Sequence, residues 1–81
     1  MDKQRIREKV LSILREELDN RDRPIKDSDS IIFDFQTDSL DIIELVMAFE
    51  ETFEITADEE EYKDIETVGQ VIEFINKKVN G

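Results

Sequence analysis

Apolar residues recur at helical spacing in three stretches of the chain. Ile6, Val10, Ile13, Leu14 and Leu18 share one stripe and predict an amphipathic helix over residues 3–18, with Asp2 as its N-cap. Asn20, Arg21, Asp22, Arg23 and Pro24 are expected to stop it. At about 100° per residue, Ile42, Leu45, Val46, Phe49 and Phe53 fall on one face of a second helix over residues 39–53. Thr67-Val68-Gly69-Gln70 fits a capping box. The helix it opens carries Val68, Val71, Ile72, Ile75 and Val79 on one stripe and is expected to end before Asn80-Gly81. Thr56-Ala57-Asp58-Glu59 fits another capping box and predicts a short helix ending near Asp64. With no strand alternation and no internal repeat, the reading is all-α: a small four-helix bundle of three longer helices and one short one.

Two features exceed what a bundle needs. The first is the long connection over residues 19–37, of a length uncommon unless the loop is functional or packed by its own side chains. Ile25, Ile31, Ile32, Phe33 and Phe35 are the candidates for that packing, with a helical turn near Ser30–Phe33. The second is a strip of Leu40, Ile43 and Met47 on the face of the second helix opposite its core stripe, between Glu44 and Glu51. Such a strip suits a docking surface, or a central helix buried nearly all round. The acidic neighbours favour docking.

Composition narrows the chemistry. The 81 residues allow one domain with a modest core, and 1–81 is read as a single domain. There is no Cys and no His, which removes disulfides, thiolate zinc sites, Cys nucleophiles and the commonest general base. No metal site is expected: Asp27-x-Asp29 begins like a calcium loop, but Ile32 and Asp38 stand where Gly and Glu belong. The net charge of −11 is unevenly spread. Residues 34–66 hold thirteen acidic residues and one base, Lys63, whereas residues 1–33 hold eight of each sign. That block repels nucleic acid and anionic lipid and attracts basic protein surfaces. No apolar run is long enough to cross a membrane and the N-terminus has no signal-peptide core, so a cytoplasmic monomer is expected.

Asp38-Ser39-Leu40 lies where the long connection meets the second helix. A Ser there sits beside unpaired amide groups at the positive end of a helix dipole, where a phosphate ester is electrostatically favoured. A plain N-cap explains the same Ser equally well. The wider run from Asp38 to Glu51 (DSLDIIELVMAFEE) closely resembles the modification motif and second helix of the dissociated, type II acyl carrier proteins of bacteria. Phe53, the acids Asp58–Glu61, Ile65, Thr67-Val68, Ile72 and Ile75 continue the likeness in register, over nearly the whole chain.

The resemblance implies a non-catalytic carrier. It implies that Ser39 receives 4′-phosphopantetheine from coenzyme A through a separate magnesium-dependent phosphopantetheinyl transferase, with Asp38 helping to hold that enzyme's metal. The arm's thiol then supplies the thioester chemistry a Cys-free chain lacks. Leu40, Asp41, Ile43, Glu44, Met47, Glu50 and Glu51 match the positions that meet partner enzymes of acyl-chain synthesis and acyl transfer, whose docking patches are basic. Leu45, Val46, Phe49, Ile65, Val71, Ile72 and Ile75 match the lining that shelters the acyl chain; each also serves as plain core. The implied setting is fatty acid, lipid or lipopolysaccharide biosynthesis in bacteria. A polyketide, peptidyl or D-alanyl carrier is the alternative on the same fold.

Two departures from the family pattern stand out. Phe35-Gln36-Thr37 replaces the usual Leu-Gly-Ala or Leu-Gly-Gly before the Asp-Ser pair. Without Gly the turn is expected to differ, or the helix to begin earlier. Ala57-Asp58 replaces Ile-Pro before the short helix, which is expected to loosen packing or reshape the acyl pocket. Both suggest a carrier specialised for one pathway.

Overall fold

Each helix begins where a side chain can satisfy its orphan amide groups. The computed structural model describes residues 1–18 and 24–81, arranged as α1 (Lys3–Leu18), α2 (Ser39–Phe53), α3 (Glu59–Tyr62) and α4 (Val68–Asn80). Asp2 opens α1, its Oδ1 accepting from Arg5 N at 2.8 Å. Thr67 and Gln70 open α4 by the expected capping box, with Gln70 N donating to Thr67 Oγ1 at 3.2 Å and Thr67 N to Gln70 Oε1 at 3.0 Å. The expected stop of α1 falls, up to Arg23, outside the described residues.

Two boundaries differ from expectation. The short helix is opened by Asp58 and not Thr56: Asp58 N donates to Glu61 Oε1 at 3.0 Å, and α3 ends at Tyr62. Thr56-x-x-Glu59 and Asp58-x-x-Glu61 both fit the capping pattern, and the second leaves Ala57 N to be taken by Glu50 Oε2 at 2.9 Å. Helix α4 also runs through Asn80, because Gly81 adopts φ 94° and closes the last turn by donating to Lys77 O at 2.9 Å.

The core lies where α1 meets α2 and α4. Ile6, Val10, Ile13 and Leu14 of α1 face Leu45, Phe49 and Phe53 of α2 and Val68, Ile72 and Ile75 of α4. Full burial of side chains of this size contributes roughly 1.5–3 kcal/mol each. Ion pairs between Lys3 and Glu73 and between Arg7 and Asp27 fasten the outer edge of α1. Among the described residues the helices are the only regular elements, apart from one isolated bridge between Ser30 and Thr67.

That bridge is part of a seam joining the long connection to the start of α4. Ile31 N donates to Glu66 O at 2.9 Å, Val68 N to Asp29 O at 3.0 Å and Gly69 N to Asp27 O at 2.9 Å. Glycine suits position 69, since a Cβ there would stand 3.3 Å from the Asp27 carbonyl oxygen and Cβ. A helical turn forms where one is expected, with Asp34 N donating to Ser30 O at 3.0 Å. Its packing is only partly as expected. Ile31 and Phe35 are buried and Ile25 is half-buried, whereas Ile32 is 51% exposed and Phe33 83%. On a single helical turn, residues 31 and 35 share the inner side and 32 and 33 take the outer one.

Candidate functional site

The start of α2 is built around Asp38. Its Oδ1 accepts from Asp41 N at 2.9 Å, and its own N donates to Asp41 Oδ2 at 3.1 Å, a reciprocal capping box. The N-cap role that would explain Ser39 is therefore filled by its neighbour. Ser39 is the first helical residue, exposed, with its hydroxyl outside the cap.

The turn ahead of it keeps a left-handed residue without glycine. Gln36 takes φ 55°, a conformation glycine reaches at least cost, and α2 begins at Ser39 with no earlier start. The flanking bonds hold it: Thr37 N donates to Ile32 O at 3.2 Å and Thr37 Oγ1 to Ile31 O at 3.0 Å. Left-handed geometry in a non-glycine residue costs on the order of 1–3 kcal/mol. The buried side chain of Phe35 and these two bonds offset it.

The outer face of α2 carries Leu40, Ile43 and Met47 at 62%, 52% and 61% exposure. Glu44 and Glu51 are exposed beside them. A helix buried all round is thereby excluded. Asp41 and Glu50 stand differently. Both are half-buried, Asp41 closing the capping box and Glu50 bracing the loop to α3 through Ala57 N.

Behind the same helix lies an apolar cavity of about 300 Å³. Leu45, Val46, Phe49, Ile65, Val71 and Ile75 line it; Ile72 does not, being core on another side of α4. The lining also includes Leu14, Ile31, Ile32, Ile42, Ala57, Glu59, Tyr62, Lys63 and Phe74. Phe74, three residues after Val71, was accessible to periodicity reasoning. Tyr62 and Lys63, at the end of a single-turn helix and just past it, gave no periodic signal. Helix α3 buries no side chain fully. It is tied to α4 by an ion pair between Glu61 and Lys78 at 2.5 Å, with the Lys78 ammonium 5.8 Å from the Phe74 ring centre. Lys78, and then the Asp58 amide, hold the Glu61 carboxyl below its ordinary range.

Chemically, this arrangement offers one accessible hydroxyl at a helix start, an apolar strip with an acid rim beside it, and an apolar cavity behind. Asp38 and Asp41, the acids nearest Ser39 in sequence, each give one carboxylate oxygen to the other's amide. Among the described residues, no three acidic side chains gather as a metal site, and no helix is long and apolar enough to cross a membrane.

Comparison with known proteins agrees with this geometry. Residues 8–75 match the family described as "Phosphopantetheine attachment site". The chain is 41% identical over 78 residues to an acyl carrier protein of Borreliella burgdorferi, covering 96% of this chain and 98% of that one. It is 44% identical over 73 residues to an acyl carrier protein of Buchnera aphidicola, covering 90% and 91%. The crystal structure of an acyl carrier protein from Thermotoga maritima superposes with a TM-score of 0.80 at 26% identity, covering 99% of this chain and 93% of that one.

Proposed function

This chain belongs to the acyl carrier protein family, whose members are non-catalytic carriers, and from that premise we propose that it carries acyl groups as thioesters on a 4′-phosphopantetheine arm attached to Ser39. The observation that carries the reading is the capping box of Asp38 and Asp41, which leaves the Ser39 hydroxyl exposed at the helix start. A phosphodiester on that oxygen gains from the helix dipole. Asp38 stands beside it to help hold the metal of the loading enzyme.

Leu40, Ile43 and Met47, rimmed by Glu44 and Glu51, form the surface that meets basic patches on the transferase and on enzymes of acyl-chain synthesis and transfer. Asp41 and Glu50 add charge to that field while holding the loops on either side of α2. The acyl chain lodges in the cavity behind α2. Its volume is at the low end for ligand sites, and its lining is mostly apolar, with Glu59 and Lys63 the charged members. That supports fatty acid, lipid or lipopolysaccharide synthesis over an aminoacyl cargo, which would bring a charged amine into an apolar site. Residues 1–81 act as one carrier domain, a cytoplasmic monomer kept apart from its own copies by a net charge of −11.

Incubation of the chain with coenzyme A, magnesium and a broad-specificity phosphopantetheinyl transferase, followed by mass measurement, tests the assignment. One phosphopantetheinyl addition is expected, absent in Ser39→Ala. An unchanged mass for the wild type, or an addition that survives the substitution, refutes it.

A further inference from the structure

Phe33 is an 83% exposed aromatic side chain in a protein with little apolar surface to spare. Its backbone is well held, with Phe33 N donating to Ser30 Oγ at 3.1 Å, yet its ring is given to solvent. Ile32 beside it is half out and half in, lining the cavity together with Ile42 and Val46 of α2. The turn therefore sits against α2. The bond from Thr37 N to Ile32 O, 3.2 Å long, closes the turn two residues short of Ser39. The Phe33 and Ser39 α-carbons are then at most about 15 Å apart.

A protein that works on the Ser39 hydroxyl must cover the ground around it. An interface of ordinary size takes about 800 Å² from each partner, a disc about 16 Å in radius. Phe33 falls within that reach. The chain around it is predominantly acidic: Asp34, Asp38, Asp41 and Glu44 follow Phe33 closely, and the only base between Lys26 and Lys77 is Lys63, which lines the same cavity as Ile32. A partner for this ground is basic. A rigid aromatic ring in the middle of such a field is the kind of side chain that anchors an interface.

We infer that Phe33 is a second apolar anchor, separate from the Leu40–Ile43–Met47 strip, that seats in an apolar recess within the basic face of the phosphopantetheinyl transferase. The inference rests on the carrier reading above. A second copy of this chain is the poorer occupant, because it would bring the same acidic block against itself.

Loading kinetics with a phosphopantetheinyl transferase, coenzyme A and magnesium test it, using the full chain, Phe33→Ser and Phe33→Leu. An exposed side chain contributes little to folding, so all three are expected to share one Tm. For Phe33→Ser the KM for the carrier is expected to rise about tenfold, the loss typical of an interface anchor, with kcat within twofold. Phe33→Leu is expected to recover most of the loss. The ratio of wild type to Phe33→Ser should persist when salt is raised, because an apolar contact is not screened as the acid rim is. A KM for Phe33→Ser within twofold of wild type overturns the inference. So does a loss confined to kcat, which would mean a disturbed turn, or a wild type that self-associates through this residue in sedimentation. A wild type that is never loaded brings down the carrier reading and this inference together, a result distinct from equal loading of wild type and variant.

Discussion

The two connections that flank α2 are held by opposite means. The one before it, from Pro24 to Asp38, sends Ile31 and Phe35 into the core and is sewn to Val68 and Gly69 of α4, and to Glu66 just ahead of them, by three backbone hydrogen bonds. The one after it, from Glu54 to Thr67, contains a helix that buries nothing fully and is pinned to α4 by an exposed ion pair. The first sets the Ser39 turn in one place. The second forms a wall of the cavity and has fewer buried side chains to hold it. The more firmly held connection precedes Ser39 and the more lightly held one borders the cavity, on either side of one helix.

Breaking the first connection should have the largest effect. Phe35→Ala removes a buried ring, a change that costs roughly 3–5 kcal/mol. For a domain of this size that lowers Tm by at least about 12 °C. Thermal melts check it; a drop of only a few degrees would mean that the turn is not part of the core.

A smaller effect of opposite sign is expected at Gln36. Glycine adopts φ 55° without strain, so Gln36→Gly should stabilise the fold by about 1 kcal/mol. Urea unfolding is the measurement, and a destabilised variant would show that the Gln36 side chain holds the turn.

The smallest effect on global stability belongs to the second connection. Lys78→Ala should leave Tm nearly unchanged, since exposed ion pairs contribute little. It should instead raise amide exchange at Glu59–Tyr62. Because Lys78 lowers the Glu61 pKa, the pair's contribution is complete above the ordinary carboxylate range and is lost as pH falls through the lowered value. Wild-type protection of these amides should therefore drop on acidification, a step that is smaller in Lys78→Ala, where only the Asp58 amide still favours the ionised Glu61. Equal exchange in both proteins at every pH would show that α3 is held by something other than this pair.

Sequence periodicity made the helices legible because each core stripe is repeated over several turns. The outer strip of α2 was legible for the same reason, as Leu40, Ile43 and Met47 keep helical spacing on the wrong side for the core. The long connection was harder. Ile31, Ile32, Phe33 and Phe35 are all apolar, and one turn of helix has no repeat to say which two face inward. At Thr56 and Asp58, two overlapping capping patterns were equally good on paper. The choice depended on Glu50 reaching across to Ala57 N, a contact seven residues away. Gln36 failed in the other direction: its residue type argued for a different turn, but tertiary bonds imposed the left-handed conformation regardless. The cavity was legible in six of its side chains and not in Tyr62 or Lys63, whose place depends on how a four-residue helix leans on its neighbours.

The division of labour at residues 38 and 39 has a lasting consequence. Had the serine itself closed the helix end, every esterification of its oxygen would have unfastened the first turn, and each removal would have required it to reform. With the aspartate as the clasp, a bond made at the oxygen next door would leave the capping contacts in place. If that oxygen bears the proposed arm, partners that recognise the folded shape would meet the same helix face whether the tether is bare, charged with cargo, or not yet installed.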